Sequence, residues 1–130
     1  MIVLDASAAI EWLLLTPAGL RIEKRIYSGN ETLHAPQLMD VEVAQVLRRL
    51  ERNKVISRTR AAEALDDLLA LRITRYPHFP LLKRMWQHRH CLSACDASYV
   101  ALAEELNIPL ITLDKRLANS RGHAARIEVF

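Results

Sequence analysis

The chain has 130 residues, of which 51% are apolar and 25% are charged, and its formal net charge of +3 is too small to identify a partner. It contains no apolar run approaching the roughly 18–20 residues of a membrane span, and no positive charge precedes its apolar start as in a signal peptide. Two cysteines are too few for a disulfide scaffold, so we expect a single domain over residues 1–130, in a reducing cytoplasm and away from membranes.

Short apolar runs alternate with helical patterns, which is typical of a parallel α/β sheet. In chain order the pattern predicts a strand at 2–4, helices from the Ser7 cap to about 15 and at 18–28, a strand at 33–35, helices at 36–52 and from Ser57 to 70, a strand at 71–76, helices at 80–87 and from Ser93 to 107, a strand at 109–113 and an edge strand at 127–130.

Two acidic residues follow predicted strands. Asp5 comes directly after the first strand, and Asp114 comes directly after the strand at 109–113. In open parallel sheets, ligands bind beyond the carboxyl ends of the strands. Asp5 and Asp114 are therefore candidate site residues at one edge of the sheet.

Glu42 and Asp96 fall on two predicted helices, whose geometry rotates successive residues by about 100°. Glu42 lies about 40° outside the apolar stripe of its helix, and Asp96 lies about 20° outside the stripe of its own. Both carboxylates are therefore expected at the border of a buried face. The stripes consist of Met39, Val43, Val46, Leu47 and Leu50 on the first helix and Cys95, Tyr99, Leu102, Ala103 and Leu106 on the second.

Each acid also has a purely structural interpretation. Asp96 lies three residues after Ser93, as in a capping box, and Glu42 is an ordinary solvated helix acid in isolation. Asp114 is suited to capping a short helix. Asp5 is the hardest to explain structurally, because a charge directly after a buried strand needs a partner.

Oxygen ligands without a clear histidine or cysteine set favour Mg²⁺ or Mn²⁺. Such a site can polarise a phosphodiester and activate water for attack on it. Ser7 and Thr112 each lie two residues from an acid, where their hydroxyls could orient a carboxylate or a metal-bound water.

The chain resembles PIN-domain proteins, and most of all the VapC-type toxins of bacterial toxin–antitoxin pairs. The resemblance extends over nearly the whole chain, with all four acidic motifs in order, although each motif is weak alone. The matching segments are IVLDAS at 2–7, APQLMDVEVAQVL at 35–47, DASYVALA at 96–103 and PLITLDKRL at 109–117.

The resemblance implies a three-layer α/β/α fold around a mostly parallel sheet of four or five strands. It implies an endoribonuclease that hydrolyses RNA with metal-activated water, using Asp5, Glu42, Asp96 and Asp114 as ligands of Mg²⁺ or Mn²⁺. It also implies a homodimer and a cognate antitoxin that blocks the site. Gln45 stands where the family often has Asn, and we expect this difference to affect substrate contacts rather than the metal.

Basic residues supply candidate contacts to the substrate. Lys115 and Arg116 adjoin Asp114, and Arg49 lies about 20° from Glu42 around its helix, where it could hold a phosphate or pair with Glu42. A cluster at the predicted helix–helix junction is by default a solvated face; it consists of Arg48, Arg52, Lys54, Arg58 and Arg60. Cys95 belongs to the apolar stripe of its helix, which predicts a buried thiol.

Two alternatives stay open from the sequence. A receiver-like signalling module would also place an acidic Mg²⁺ pocket at strand ends, but this chain lacks an acid pair after its first strand. A non-catalytic scaffold with a PIN fold is disfavoured by the presence of all four acids.

Overall fold

The computed structural model describes residues 1–130 and contains one five-stranded sheet. All neighbouring strands pair in parallel, in the order β3-β2-β1-β4-β5, so the predicted mostly parallel sheet is confirmed and is parallel throughout. The strands are β1 Ile2–Leu4, β2 Leu33–Pro36, β3 Ile73–Tyr76, β4 Leu110–Thr112 and β5 Ile127–Val129.

Seven α-helices complete the three-layer α/β/α architecture. They are α1 Ala6–Leu13, α2 Pro17–Ser28, α3 Leu38–Arg52, α4 Arg58–Ala70, α5 Leu82–Gln87, α6 Ala94–Leu106 and α7 Lys115–Ala118. Helices α1 to α4 contact one another, and α5 contacts α6. From β1 to β3 the chain adds strands in one direction, and from β3 it crosses back to add β4 on the other side of β1. Because parallel crossovers are right-handed, this change of direction places the two groups of helices on opposite faces of the sheet. No helix has the length and apolar character needed to cross a membrane.

The core forms around the central strand β1, whose three residues are all fully buried. On α3 the buried residues Met39, Val43 and Leu47 follow the predicted stripe. On α6 the stripe prediction was too narrow, because every residue from 97 to 103 is buried between the sheet and α5.

The first turn of α6 differs from the sequence prediction at Cys95. Its thiol is exposed rather than buried. A helix that returns antiparallel to the strands begins at their carboxyl edge, so the first turn of α6 borders the crevice there instead of the packed sheet. The helical periodicity alone does not show where along a helix its burial begins.

The start of α1 also differs from the prediction. Asp5, not Ser7, is the N-cap residue, and its carboxylate accepts a hydrogen bond from the Ala8 amide at 2.9 Å. Ser7 lies inside the first turn and donates its hydroxyl to Asp5 at 2.6 Å. Either residue type can cap a helix, so the choice between them depends on where β1 ends.

Glu104, near the end of α6, connects three segments of the chain. Arg84 donates from Nε and Nη2 to its two carboxylate oxygens at 2.8 and 2.7 Å. The Ala124 amide donates to the same carboxylate at 2.8 Å, and His88 Nε2 lies 3.1 Å from it. This cluster fastens α5 and the segment before β5 to α6.

Replacement of Glu104 by Gln is expected to destabilise the fold by about 2–3 kcal/mol at neutral pH. Burial acts to raise the pKa of Glu104, but the hydrogen bonds from Arg84, Ala124 and His88 outweigh it and lower that pKa to about 2. A carboxyl whose pKa is lowered by folding stabilises the protein above its unfolded pKa, and this contribution is lost as the pH falls toward 2.

Urea unfolding of the parent and the variant across pH checks this expectation. The difference in unfolding free energy between them should shrink as the pH falls from about 5 to about 2. Glu105→Gln, at the exposed neighbouring position, is the matched control and should stay within about 0.5 kcal/mol of the parent. A difference that is the same at every pH would contradict the assigned ion pair.

Candidate metal centre

The candidate site lies where the sheet reverses its strand order. From β1 the chain adds β2 and β3 on one side, and β4 and β5 then add on the other side of β1. Such a switch point leaves a crevice beyond the carboxyl ends of the two adjacent strands, here β1 and β4. Asp5 follows β1, and Asp114 lies two residues beyond the end of β4.

Asp5 is only 6% exposed and is held at both carboxylate oxygens. Its Oδ1 accepts from Ser7 and Ala8, and its Oδ2 accepts the hydroxyl of Thr112 across the crevice. Burial raises the pKa of Asp5 despite these three hydrogen bonds, and the nearby charge of Asp96 raises it further. The fold therefore fixes the position of this carboxylate while making its negative charge costly.

Glu42, on α3, is half-buried and accepts a hydrogen bond from the hydroxyl of Tyr99 on α6. Burial is the largest cause that raises the pKa of Glu42, and the charges of Asp5 and Asp96 add to it against the opposing hydrogen bond from Tyr99. Tyr99 is only 2% exposed, so this contact joins two helices across the crevice at a buried point.

Asp96 is the carboxylate without a protein partner. Its backbone amide donates to the Ser93 hydroxyl at 3.1 Å, which completes the cap of α6. Its carboxylate forms no ion pair and no hydrogen bond, so the reciprocal half of a capping box is missing. It is partly exposed and lines a cavity of about 420 Å³ together with Cys91 and Asp114.

Asp114 caps α7 and is paired with Arg116. Its Oδ1 accepts from the Arg116 amide at 2.8 Å, and the Arg116 guanidinium Nη2 lies 3.4 Å from Oδ2. Burial acts to raise the pKa of Asp114, but the hydrogen bonds from Arg116 outweigh it and lower that pKa. The predicted capping role of Asp114 is therefore confirmed, and its charge is partly compensated within the chain.

The crevice thus brings together three mutually repelling carboxylates, from Asp5, Glu42 and Asp96, with Asp114 across the cavity from Asp96. No group of three or more carboxylate, imidazole or thiol side chains is arranged to hold a metal ion by itself. Mg²⁺ commonly keeps several waters and binds directly to only one or two carboxylates. These residues therefore fit a hydrated divalent cation better than a dehydrated ion in a protein cage.

The candidate substrate residues lie on the surface. Lys115 is exposed and forms no ion pair, and the Arg116 side chain is 93% exposed beside Asp114. Arg49 is exposed, and it does not pair with Glu42, which is bonded to Tyr99 instead.

Two contacts in the crevice were missed by the sequence predictions. Tyr99 was assigned to the apolar stripe of α6, although a buried tyrosine hydroxyl needs a hydrogen-bond partner and thereby indicates a polar contact. Ser7 accepts the Leu113 amide at 3.0 Å and so connects α1 to the loop before Asp114. No sequence signal predicts this second contact, because the two segments are brought together only by the strand order.

A family model described as the PIN domain matches residues 2–122 of the chain. The chain is 45% identical over 129 residues to Ribonuclease VapC12 of Mycobacterium tuberculosis, covering 99% of this chain and 98% of that protein. It is 44% identical over 120 residues to VapC ribonuclease Mb0985 of Mycobacterium bovis, covering 92% of this chain and 91% of that protein.

Solved structures share the fold at lower identity. PAE2754 from Pyrobaculum aerophilum superposes with a TM-score of 0.71 at 22% identity, covering 98% of this chain and 83% of that one. VapC20 from Mycobacterium tuberculosis, described as a sarcin-ricin loop cleaving toxin, superposes with a TM-score of 0.66 at 16% identity, covering 91% of this chain and 93% of that one. VapBC2 from Rickettsia felis, bound to a DNA fragment from its promoter, superposes with a TM-score of 0.61 at 15% identity, covering 99% of this chain and 98% of that one.

Proposed function

The chain belongs to the PIN-domain family, and from that membership we propose that it is a VapC-type endoribonuclease, the toxin of a toxin–antitoxin pair. Its reaction is the hydrolysis of RNA phosphodiester bonds at the crevice between β1 and β4. Residues 1–130 act as one nuclease domain, and the proposed location is the cytoplasm.

The crowding of Asp5, Glu42 and Asp96 is the observation that carries this proposal. Burial raises the pKa values of Asp5 and Glu42, the negative charges of neighbouring acids raise them further, and the Asp96 carboxylate has no partner in the protein. Cations bound beside these groups remove the repulsion. A site that serves only to cap helices gains nothing from such crowding.

The proposed metal ligands are Asp5, Glu42, Asp96 and Asp114, either directly or through water. A divalent cation held there supplies a polarising charge for the phosphodiester and activates water for attack. Ser7 and Thr112 hold the Asp5 carboxylate in one orientation through their hydroxyl groups. In this proposal Lys115 and Arg116 contact the phosphates that flank the cleaved bond, and Arg49 contacts a phosphate beside Glu42.

The metal is Mg²⁺ or Mn²⁺ in this proposal, because all four donors are carboxylates. The protein partner is a cognate antitoxin of the VapB type, as in the VapBC2 complex of Rickettsia felis. The active form is a homodimer, as the family resemblance implies.

Neither alternative from the sequence is favoured by an observation. A receiver-like module needs an accessible aspartate after its first strands, whereas Asp5 is buried and engaged at both oxygens. A non-catalytic scaffold has no use for an unpaired carboxylate such as that of Asp96 beside two other acids.

Cleavage of RNA by the purified chain tests the proposed function. Short single-stranded RNA should be cut in millimolar Mg²⁺ or Mn²⁺ and left intact in chelator, and Asp96→Asn should be inactive under both conditions. Cleavage that persists in chelator, or in the Asp96→Asn preparation, would identify a contaminating or metal-independent nuclease and contradict the proposal.

Lys115→Ala and Arg116→Ala should each weaken RNA binding and flatten its salt dependence, by roughly 0.7–0.9 in the log–log slope per lost phosphate contact. Binding is measured across a salt series in an Asp96→Asn background, so that the RNA stays intact. Lys83→Ala, at an exposed position on α5, is the matched control and should keep the parent slope. Unchanged slopes at both Lys115 and Arg116 would show that α7 faces away from the RNA.

A further inference from the structure

Positive charge in this chain is concentrated at the junction of α3 and α4. Residues 48–60 contain six of the 18 Lys and Arg but only one of the 15 Asp and Glu, so the other residues hold 12 basic and 14 acidic side chains. The net positive charge of the chain therefore comes entirely from this junction. We call its five exposed cations the basic corner; they are Arg48, Arg49, Arg52, Lys54 and Arg58.

The cations of the basic corner do not bond to other groups of the protein. None of the five forms a salt bridge or a side-chain hydrogen bond in the structure. Arginines elsewhere do so: Arg25, Arg75 and Arg84 each make bidentate contacts to carboxylates, and Arg60 donates to the Leu13 carbonyl. The basic corner thus groups five unpaired cations in one place, whereas Arg25, Arg60, Arg75 and Arg84 bond to other groups of the protein.

Helix electrostatics do not account for the basic corner. Arg49 and Arg52 lie in the last turn of α3, where the helix dipole favours cations. Lys54 lies beyond that helix, and Arg58 begins α4, at the end where the dipole disfavours a cation. Arg48 and Arg52 are a like-charge pair at i and i+4, which destabilises a helix. An anionic ligand would remove these costs.

The basic corner begins on the helix that also carries Glu42. Arg49 follows Glu42 by two helical turns, or about 10 Å along α3, on nearly the same face of the helix. Arg52 lies about one turn further. Arg48 and Arg58, together with Glu51, line one cavity of about 450 Å³ between α3 and α4. A polyanion that leaves the crevice along α3 therefore meets the unpaired guanidinium of Arg49 first, and the other cations of the basic corner lie further around the helix and beyond its end.

We propose that the basic corner is a second RNA-binding surface, which holds the phosphate backbone of a structured RNA outside the segment that is cut. This inference rests on the proposed ribonuclease function and extends it to the choice of substrate. Phosphate contacts of this kind add affinity and orientation without reading sequence. The surface thus favours long or folded RNA over short single strands.

The test replaces three of the five cations, as Arg52→Gln, Lys54→Gln and Arg58→Gln in one variant. Arg49 stays unchanged because it is a candidate contact of the crevice. The matched control removes the same charge at exposed, unpaired positions elsewhere, as Arg21→Gln, Lys24→Gln and Arg126→Gln. Binding to bulk structured cellular RNA and to a short single-stranded RNA is measured across a salt series in an Asp96→Asn background.

The corner variant should bind structured RNA at least about tenfold more weakly at low salt, with a log–log salt slope reduced by about 2–3. The control variant should keep the parent slope, and in the active background both variants should cut short RNA at the parent rate. Equal losses in corner and control variants would overturn the proposal, because they would reflect only the change in net charge. Equal losses for short and structured RNA would overturn it too.

If the basic corner binds an acidic protein instead of RNA, the same variants give a different result. If the corner variant keeps full RNA binding but no longer binds poly-glutamate, the surface accepts an acidic protein segment and the RNA proposal is wrong. If the parent fails to cut short RNA with metal, the proposed function is wrong. If it cuts short RNA while corner, control and parent slopes are equal, only the second surface is wrong.

Discussion

Replacing Asp5 by Asn is expected to reduce RNA cleavage by roughly a thousandfold or more, since loss of a metal ligand removes several kcal/mol of transition-state stabilisation. The same substitution should raise the unfolding free energy of the metal-free protein at neutral pH. Loss of activity with a gain in stability is an unusual combination, because most substitutions at buried positions destabilise.

The sign of the stability change follows from the pKa of Asp5. Burial and the charge of Asp96 raise this pKa, so the folded state disfavours the ionised carboxylate. A carboxyl with a raised pKa stabilises the fold at low pH, and this contribution is lost as the pH rises through its folded pKa. At neutral pH the ionised Asp5 is therefore a cost, and the neutral amide of Asn removes it.

The surroundings of Asp5 can accept the amide. Asn caps helices about as well as Asp, so its carbonyl can keep the bond from Ala8. Its amide nitrogen would face the hydroxyl of Thr112, which can accept as well as donate. Packing should therefore change little, and the difference in stability should reflect charge.

Thermal melts in chelator and in millimolar metal, combined with a cleavage assay, measure both effects. Metal should raise the melting temperature of the parent more than that of Asp5→Asn, because the variant lacks a ligand. Asp66→Asn, at an exposed and unpaired position on α4, is the matched control and should resemble the parent. A parent that gains no stability from metal, together with a variant that still cuts RNA, would falsify the carboxylate site.

Expression of the chain without an antitoxin should arrest bacterial growth, and Asp96→Asn should restore it. Asp96 carries the unpaired carboxylate beside Asp5 and Glu42, so its loss should lower cleavage by roughly a hundredfold or more. Colony counts and growth curves after induction, with immunoblots of the soluble fraction, measure the effect.

The matched control in this experiment is again Asp66→Asn, which should stay as toxic as the parent. Co-expression of the cognate antitoxin should relieve the arrest without lowering the amount of toxin. Normal growth despite abundant soluble parent protein would count strongly against a toxin, and arrest by Asp96→Asn would show that toxicity does not depend on the crevice.

The strands and the long helices could be predicted from sequence because local patterns determine them. The three-residue strand β1 is apolar throughout, and the observed bounds of α3, α4 and α6 differ by only one or two residues from the prediction. The positions of Asp5 and Asp114 beyond strand ends followed from the same patterns, since parallel strands end at a common edge.

The details of the crevice could not be predicted because they depend on contacts between distant segments. The bond from Tyr99 to Glu42 spans 57 residues of sequence, and that from Thr112 to Asp5 spans 107. The exposure of Cys95 depends on where α6 projects past the sheet. Helical periodicity identifies the face on which a residue lies, but it does not supply the neighbour across a crevice.

The central position of β1 has a consequence for the order in which the protein is made. Because β1 precedes both of its neighbours in the chain, its two edges remain open until β2 and, some seventy residues after β2, β4 are synthesised. Thr112 and Asp114 are among the last parts of the crevice to appear. A chain that stops before β4 therefore lacks both Asp114 and the hydroxyl that Thr112 donates to Asp5, so its crevice is incomplete.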